Sequence, residues 1–547
     1  MATAKSWAPP ADFDLGCRIH ALQQQAMNLQ RQGALDQAER LYHQVLELSP
    51  GHPDALHLLG LIAFQRGQGE AAVQAIGAAL ANSPGPALYH SNLGAVLTTL
   101  GRSREAEEHL RTAVALSADS ADAYSNLANA QNLQGSHAEA VKNAERALLL
   151  APGHSEACNN LGVAHQGLYR FDAAIVQYGK ALEKSPNNLA FLNNRGQAFY
   201  QAGQLEPARL DFERILALDP NHVTAHWHRA LVLFGLGRLE EAWREFRWRH
   251  QLPANLPFVR SFPQARWQGE DLSGQSLLVV GEQGVGDELE YSSVIADLTT
   301  RARRVVVECD ERLVGLFARS FAGVEVVARR TPTDPRLLSP EIRWQVLAGD
   351  ALPWMRPNLE SFPRSGGHLR ADPERVERWR IRLASLGDGP KIGIGWRSKV
   401  MTKERQFHYS RLPQWGDVLR VRGVHFVNLQ YDECVEELRE AEALFGVRIH
   451  AFADVDLMRD LEEAAALTAA LDLVISPSTT VAVMSGALGI LTWCLITDHS
   501  AWETLGTERL PFLPSVRVIR RHWKRPWDAV LADVGVALRA FGSTPSG

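Results

Sequence analysis

Two patterns of apolar and polar positions divide the chain near its middle. In the first half, small apolar residues return every 34 positions. Ala38, Ala72, Ala106, Ala140, Ala174, Ala208 and Ala242 form one series, and Ala26, Gly60, Gly94, Ala128, Gly162, Gly196 and Ala230 a second. Turn elements such as "RGQGEA" separate them, and Pro50, Pro84, Pro152, Pro186 and Pro220 close most units. A period of this length predicts paired helices. A small residue on the first helix faces a small residue on the second, so the two cross closely. The proline ends the second helix because it cannot extend the hydrogen-bond ladder. After a tail at 1–18, seven units are readable over 19–255. They are expected to stack into a right-handed solenoid whose concave face is lined by the first helices.

This is the tetratricopeptide (TPR) pattern, and it fails after "EEAWREFRWRH". A stretch rich in Pro, Gly and polar residues follows, with a linker at 256–275. Beyond it the apolar runs "SLLVVG", "RVVVEC" and "VEVVAR" read as buried parallel strands with helical patterns between them. A second Pro- and Arg-rich stretch precedes "KIGIGW", "VHFVNLQ", "VRIHAF", "LDLVIS" and "ILTWCLI", again spaced by helical patterns. Alternating strand and helix implies two doubly wound, Rossmann-like lobes, here 276–370 and 371–541, before a loose tail at 542–547. Ligands of such folds bind at the carboxyl ends of the strands, in the cleft between lobes.

Composition narrows the function classes. The chain is 46% hydrophobic and 22% charged, as soluble globular proteins are. A formal net charge of -5 gives no hint of nucleic acid. No secretory signal and no membrane span is read. Cys17, Cys158, Cys309, Cys434 and Cys494 form no CxxC pair, which fits a reducing, cytoplasmic setting and argues against structural zinc.

Several residue patterns carry candidate chemistry. Asn92, Asn126, Asn160 and Asn194 recur 34 apart on the first helices. An Asn amide offers donor and acceptor together. Such a row either holds the backbone of an extended peptide or bonds between neighbouring repeats. The loop "GEQGVGDELE" follows a strand, but its carboxylates exclude a phosphate, and GxxGxG is not the dinucleotide spacing. It presents Asp287, with Glu282 nearby, at the cleft. Asp287 either takes a proton from an attacking hydroxyl or caps the following helix. Ser478, Thr479 and Thr480 open a helix whose free N–H groups and hydroxyls suit a phosphate or simply cap it. Arg397, Lys399, Lys403 and Arg405 follow "KIGIGW" and offer cations to a leaving phosphate, or form a solvated basic loop. Gln430 and Tyr431 stand at the equivalent edge, within reach of a base or ribose. The DxD triplets are "DFD" (12–14), in the tail, and "DVD" (454–456), which reads as a helix start; no metal or cofactor is expected.

Here a family resemblance enters. "GEQGVGDELEYSSVIADL", "IGIGWRSK", "FVNLQYDE", "ALDLVISPSTTVAVMSGALGILTW" and "WETLGTERLPFLPSVRVIRRHW" resemble the C-terminal region of bacterial TPR proteins with a glycosyltransferase domain. That domain is similar to the heptosyltransferase-type GT-B enzymes, and the "NLG" repeats resemble those of the O-linked N-acetylglucosamine transferases. Some bacterial proteins of this architecture act as flagellin glycosyltransferases. The resemblance implies an α-solenoid joined to a two-lobed GT-B-like α/β domain. It assigns catalysis to Asp287, acceptor-peptide contacts to the Asn series, and the nucleotide-sugar mainly to the second lobe. The heptosyltransferase pattern carries an Asp-Thr pair and then His. Here Ser478, Thr479 and Val483 stand instead, so the donor nucleotide is expected to differ or its binding to be lost.

Three readings follow. The first is a cytoplasmic protein O-glycosyltransferase that docks a protein acceptor, flagellin by the resemblance, in the solenoid. It would transfer sugar from a nucleotide-sugar to Ser or Thr. The second is a non-catalytic TPR scaffold with a degenerate GT-B domain. The third is a transferase acting on a lipid-linked glycan, against which the lack of a basic amphipathic helix counts.

Overall fold

The computed structural model describes residues 11–256, 260–402 and 405–542. Residues 1–10 and 543–547, most of the expected tails, lie outside the described residues, as does Lys403. Residues 11–18 belong to the first helix, Ala11–Arg31. The chain forms two compact units, Met1–Arg195 and Gly196–Gly547.

The first unit is a run of helix pairs: Ala11–Arg31 with Leu35–Leu48, Pro53–Gln65 with Gly69–Asn82, Ala87–Thr99 with Ser103–Leu116, Ala121–Leu133 with His137–Leu150, and Ser155–Gly167 with Phe171–Lys184. Helices ending at Leu48, Asn82, Leu150 and Lys184 stop two residues before Pro50, Pro84, Pro152 and Pro186. Gly33, Gly67, Gly101 and Gly135 turn the chain within four of the pairs, with φ of 78°, 76°, 77° and 72°. The packing inside a pair differs from small-on-small. A Cβ on Gly60 would lie 2.6 Å from Ile76, and one on Gly162 would lie 2.6 Å from the Tyr178 ring. Each glycine is the hole that a large side chain of the second helix fills. The backbones also approach, because the same Cβ on Gly60 would meet the Ala72 carbonyl at 3.1 Å.

In the second unit the repeat pattern continues through Leu205–Leu218, Val223–Gly235 and Leu239–Phe246. The last pair does not end in a free surface. Phe234, Trp243 and Phe246 share one hydrophobic core with Trp267, Leu277, Val279 and Leu289 of the α/β part.

Eleven strands follow among the described residues: β1 Ala265–Arg266, β2 Ser276–Val280, β3 Arg304–Cys309, β4 Glu325–Ala328, β5 Trp344–Leu347, β6 Lys391–Ile394, β7 His425–Asn428, β8 Ile449–His450, β9 Leu473–Pro477, β10 Thr492–Thr497 and β11 Val516–Arg521. The first sheet runs β1-β5-β2-β3-β4 and the second β11-β10-β9-β6-β7-β8. Every ladder is parallel. Counted from β6, the second sheet has the doubly wound order 3-2-1-4-5-6. The apolar runs of the sequence are β2–β4 and β6–β10. β5 is a central strand that the pattern missed, since Gln345 interrupts its apolar run. The segment read as a linker supplies β1, where Ala265 pairs with Trp344. The second core joins Trp396 and Trp415 to Trp527, Leu531 and Leu538 of the last helix, Trp527–Gly542.

Gly162→Val should destabilise the first unit by about 1–3 kcal/mol, because the added methyls displace Tyr178. The expected readout is an earlier urea transition with native helical circular dichroism before it.

Candidate functional site

The acidic glycine turn sits at the carboxyl end of β2. Gly281 has no room for a side chain: a Cβ would lie 2.7 Å from Arg329 Nη2 and 2.9 Å from the Glu308 carbonyl. Gln283 takes a left-handed φ of 60°, and the helix Val285–Tyr291 begins.

The acids of this turn have different surroundings. Glu282 is buried, and Arg249 grips it with Nη2–Oε1 at 2.7 Å and Nε–Oε2 at 3.2 Å. The Gly349 N–H donates to the same carboxylate at 2.7 Å. Glu282 was expected beside Asp287 as a second catalytic group. It is instead a clamp, with both oxygens committed inside the protein. Glu288 pairs with Arg329 and accepts from Asp310 N at 2.8 Å, yet burial pushes it up to about 7. Asp287 and Glu290 have no ion-pair partner among the described residues. Burial raises the Asp287 carboxyl above its ordinary value. The Gly284 N–H, donating to Oδ2 at 3.0 Å, opposes the rise, and Glu282 adds to it. Burial, then Glu503 and Asp287, push Glu290 up to about 8.

The second lobe meets this turn from the carboxyl end of β9. The helix Thr480–Ala487 has no side-chain cap. Ser478 Oγ donates to Glu503 Oε2 at 2.6 Å, and Thr479 Oγ1 lies 3.3 Å from Ser476 Oγ. The two helix starts approach closely, since a Cβ on Gly286 would be 3.5 Å from Thr480 Oγ1. The structure therefore brings together Asp287, Glu290, Ser478, Thr479, Thr480 and Glu503.

The other expected donor contacts divide. Arg397 is bound to Asp432 and, with Nη2–Oε1 at 2.6 Å, to Glu437. Its charge is neutralised inside the second lobe, which departs from the expected role on a leaving phosphate. Gln430 is buried and braces the β6 and β7 ends, accepting from Trp396 N at 3.2 Å and donating to Arg397 O at 3.0 Å. Its amide is spent on the backbone and on Asp432 Oδ1, to which it donates at 2.7 Å. Lys399 is exposed; its backbone N–H donates to Tyr431 Oη at 3.4 Å, and its Nζ meets Met458 Sδ at 3.4 Å. Tyr431 and Thr480 line a cavity of about 140 Å³ with Val285, Met458 and Met484. "DVD" does not start the next helix. Asp460 does, accepting from Glu463 N at 2.9 Å, while Asp454 pairs with Arg382.

Sequence reasoning missed a second group at the ends of β6 and β10. His408 Nδ1 lies 2.8 Å from Thr497 Oγ1, and its ring stacks on His499 at 4.7 Å. His499 meets Tyr200 edge-on at 5.1 Å. Burial lowers His408 to about 3 and His499 to about 4, so both imidazoles are neutral near pH 7. The only sequence signal is the position of His499 just past β10; His408 lies in the segment that follows β6 and carries none.

In the first unit each Asn of the ladder donates one repeat back. Asn92 Nδ2 is 2.8 Å from His57 Nε2, Asn126 Nδ2 3.3 Å from Ser91 Oγ, Asn160 Nδ2 3.1 Å from Ser125 Oγ, and Asn194 Nδ2 3.0 Å from Asn159 Oδ1. The partners form their own 34-residue series, which the sequence reading did not single out. Among the described residues no donor reaches the four Asn Oδ1 atoms.

The family models match the repeat half. Residues 29–95, 93–155 and 193–247 match the Tetratricopeptide repeat, and 170–203 match the TPR repeat. The chain thus carries TPR repeats in its N-terminal region, followed by parallel sheets with helices. It is 38% identical over 295 residues to Protein FlbA of Caulobacter vibrioides, which covers 52% of this chain and 49% of FlbA. The chain thus matches about half the length of that relative. Among solved structures, Cut9-Hcn1 of an APC/C hetero-tetramer is 20% identical with a TM-score of 0.38, covering 40% of this chain and 43% of that one. A tetratricopeptide repeat protein from Parabacteroides merdae is 15% identical with a TM-score of 0.36, covering 43% of this chain and 93% of that one. No helix among the described residues is long and apolar enough to cross a membrane.

Two outcomes follow. Arg249→Met strands a buried carboxylate and should cost about 3–5 kcal/mol in chemical denaturation, with Glu282→Gln added to it restoring part. Glu290 holds its proton in the folded chain up to about pH 8, whereas the unfolded group releases it near the ordinary glutamate value of 4.5. Stability contributed at this site therefore falls as pH rises through that window. Glu290→Gln should raise the thermal transition more at pH 8 than at pH 5.

Proposed function

We propose that the chain is a nucleotide-sugar-dependent protein O-glycosyltransferase of the two-lobed GT-B type. The observation that supports it most is the pairing at the strand ends: Asp287, with no ion-pair partner among the described residues and a raised pKa, follows Gly286, which approaches the uncapped start of Thr480–Ala487. In this reading a Ser or Thr hydroxyl of a protein acceptor gives its proton to Asp287 as its oxygen attacks the anomeric carbon. A carboxylate made more basic by burial takes that proton more readily. The nucleoside diphosphate leaves with the bonding electron pair toward the N–H groups at 479–481, where a helix start favours negative charge. The sugar inverts, and no metal is needed. The repeats hold the acceptor, flagellin by resemblance, with the four Asn carbonyls facing its backbone N–H groups. The setting proposed is cytoplasmic.

A second reading, a scaffold without catalysis, is favoured by Arg397 and Gln430, whose polar atoms are spent internally. The test begins with thermal shifts of the full chain against UDP-, GDP-, ADP- and CMP-sugars. Saturable stabilisation by one donor is expected. Asp287→Asn should then bind that donor while transfer to protein falls about 10²–10⁴-fold. Wild-type transfer by the variant would remove Asp287 as base, and no donor binding by the folded chain would leave the scaffold.

A further inference from the structure

A groove of about 840 Å³ lies in the second unit between the terminal repeat and the first sheet. It shares no residue with the strand-end cleft described above. Four tryptophans line it, and each is held. Trp243 Nε1 donates to Arg356 O at 2.9 Å, and Trp267 Nε1 donates to Glu270 O at 2.8 Å. Trp248 stacks on His226 at 3.9 Å, with 5° between the rings. Trp354 lies on the backbone of Gly269, where a Cβ would come within 2.6 Å of the indole, yet Trp354 is 45% exposed. Fixed aromatic surfaces of this kind lose little side-chain freedom when they bind.

The charges around the rings do not balance. Arg244 is paired with Glu240, and Asp350 with Arg249 and His250. Arg247 and Arg266 are exposed, and no carboxylate among the described residues pairs with either. Two uncompensated guanidinium groups beside tryptophan select an acidic partner, and Trp and Arg are the residues that dominate binding energy at protein interfaces. Arg266 also ends β1, the outer strand of its sheet, one side of which has no strand neighbour among the described residues. Free strand edges pair with extended chains.

We propose that this groove docks an extended segment of a partner protein that carries several carboxylates and an aromatic side chain, as a contact separate from the repeat ladder. The aromatic residue would pack on Trp354, and the carboxylates would meet Arg247 and Arg266. The proposal stands whether or not the chain transfers sugar.

The test uses the full chain and a fluorescein-labelled peptide rich in Glu with interspersed Phe, read by anisotropy. A peptide with Lys in place of Glu serves as the opposite charge, and polygalacturonate as an acidic glycan. Saturable binding of the Glu-Phe peptide is expected, not matched by the Lys peptide and not displaced by polygalacturonate. Arg247→Glu with Arg266→Glu, and separately Trp354→Ala, should each weaken it about tenfold or more, a change of about 1.4 kcal/mol. Arg247 and Arg266 are exposed, so the thermal transition of the double variant should stay in place; Trp354→Ala removes packing on Gly269, and its native circular dichroism shows that it folds. No binding, equal binding of the Lys peptide, displacement by polygalacturonate, or undiminished binding by the variants would each overturn the proposal.

Discussion

A fully buried guanidinium holds the second unit together. Arg249 leaves the last repeat and meets Glu282 after β2 and Asp350 after β5. An arginine in that position is costly to desolvate and needs fixed acceptors at several of its donors. Here the acceptors come from the two neighbouring strand ends of the first sheet, and the remaining donor reaches Phe246 O at 3.2 Å. Glycine at 349 is part of the same arrangement, because a Cβ would come within 2.6 Å of Glu282 Oε1 and 2.8 Å of Arg249 Nη2. The clamp orients the turn that carries Asp287, so the geometry of the cleft depends on the terminal repeat.

That dependence explains why a glycine-rich turn is filled with acids. Two of them, Glu282 and Glu288, serve the fold through Arg249 and Arg329. The other two, Asp287 and Glu290, share a region with Glu503 and no arginine partner. Burial first, and neighbouring carboxylates after it, push these two carboxyl groups toward the protonated form. Arginine-paired and arginine-free carboxylates therefore sit within nine residues of one another. The second lobe shows the reverse: Arg397, placed by its strand for an anion, is neutralised by Asp432 and Glu437.

The repeat unit divides a single amide between two tasks. The N–H side of each ladder Asn ties one repeat to the one before, through His57, Ser91, Ser125 and Asn159. The carbonyl side accepts from no donor among the described residues. A ladder built this way is stiff without being saturated.

The sequence by itself determined the repeat period, most helix ends and most of the strands. Those features follow from local rules: proline ends a helix, glycine makes a turn or a hole, and a buried strand reads as an apolar run. It also singled out Asp287 and Ser478–Thr480, because strand ends and helix starts are local features. Tertiary structure alone decided which polar atoms remain available. Glu282, Gln430 and Arg397 look like site residues until their partners, 33, 34 and 40 residues away, are seen. His408, His499 and Tyr200 meet only through folding, since no local spacing records a contact between segments so far apart in the chain. β1 and β5 escaped for related reasons: β1 is two residues long, Gln345 breaks the apolar run of β5, and the two pair with each other across a long stretch of chain.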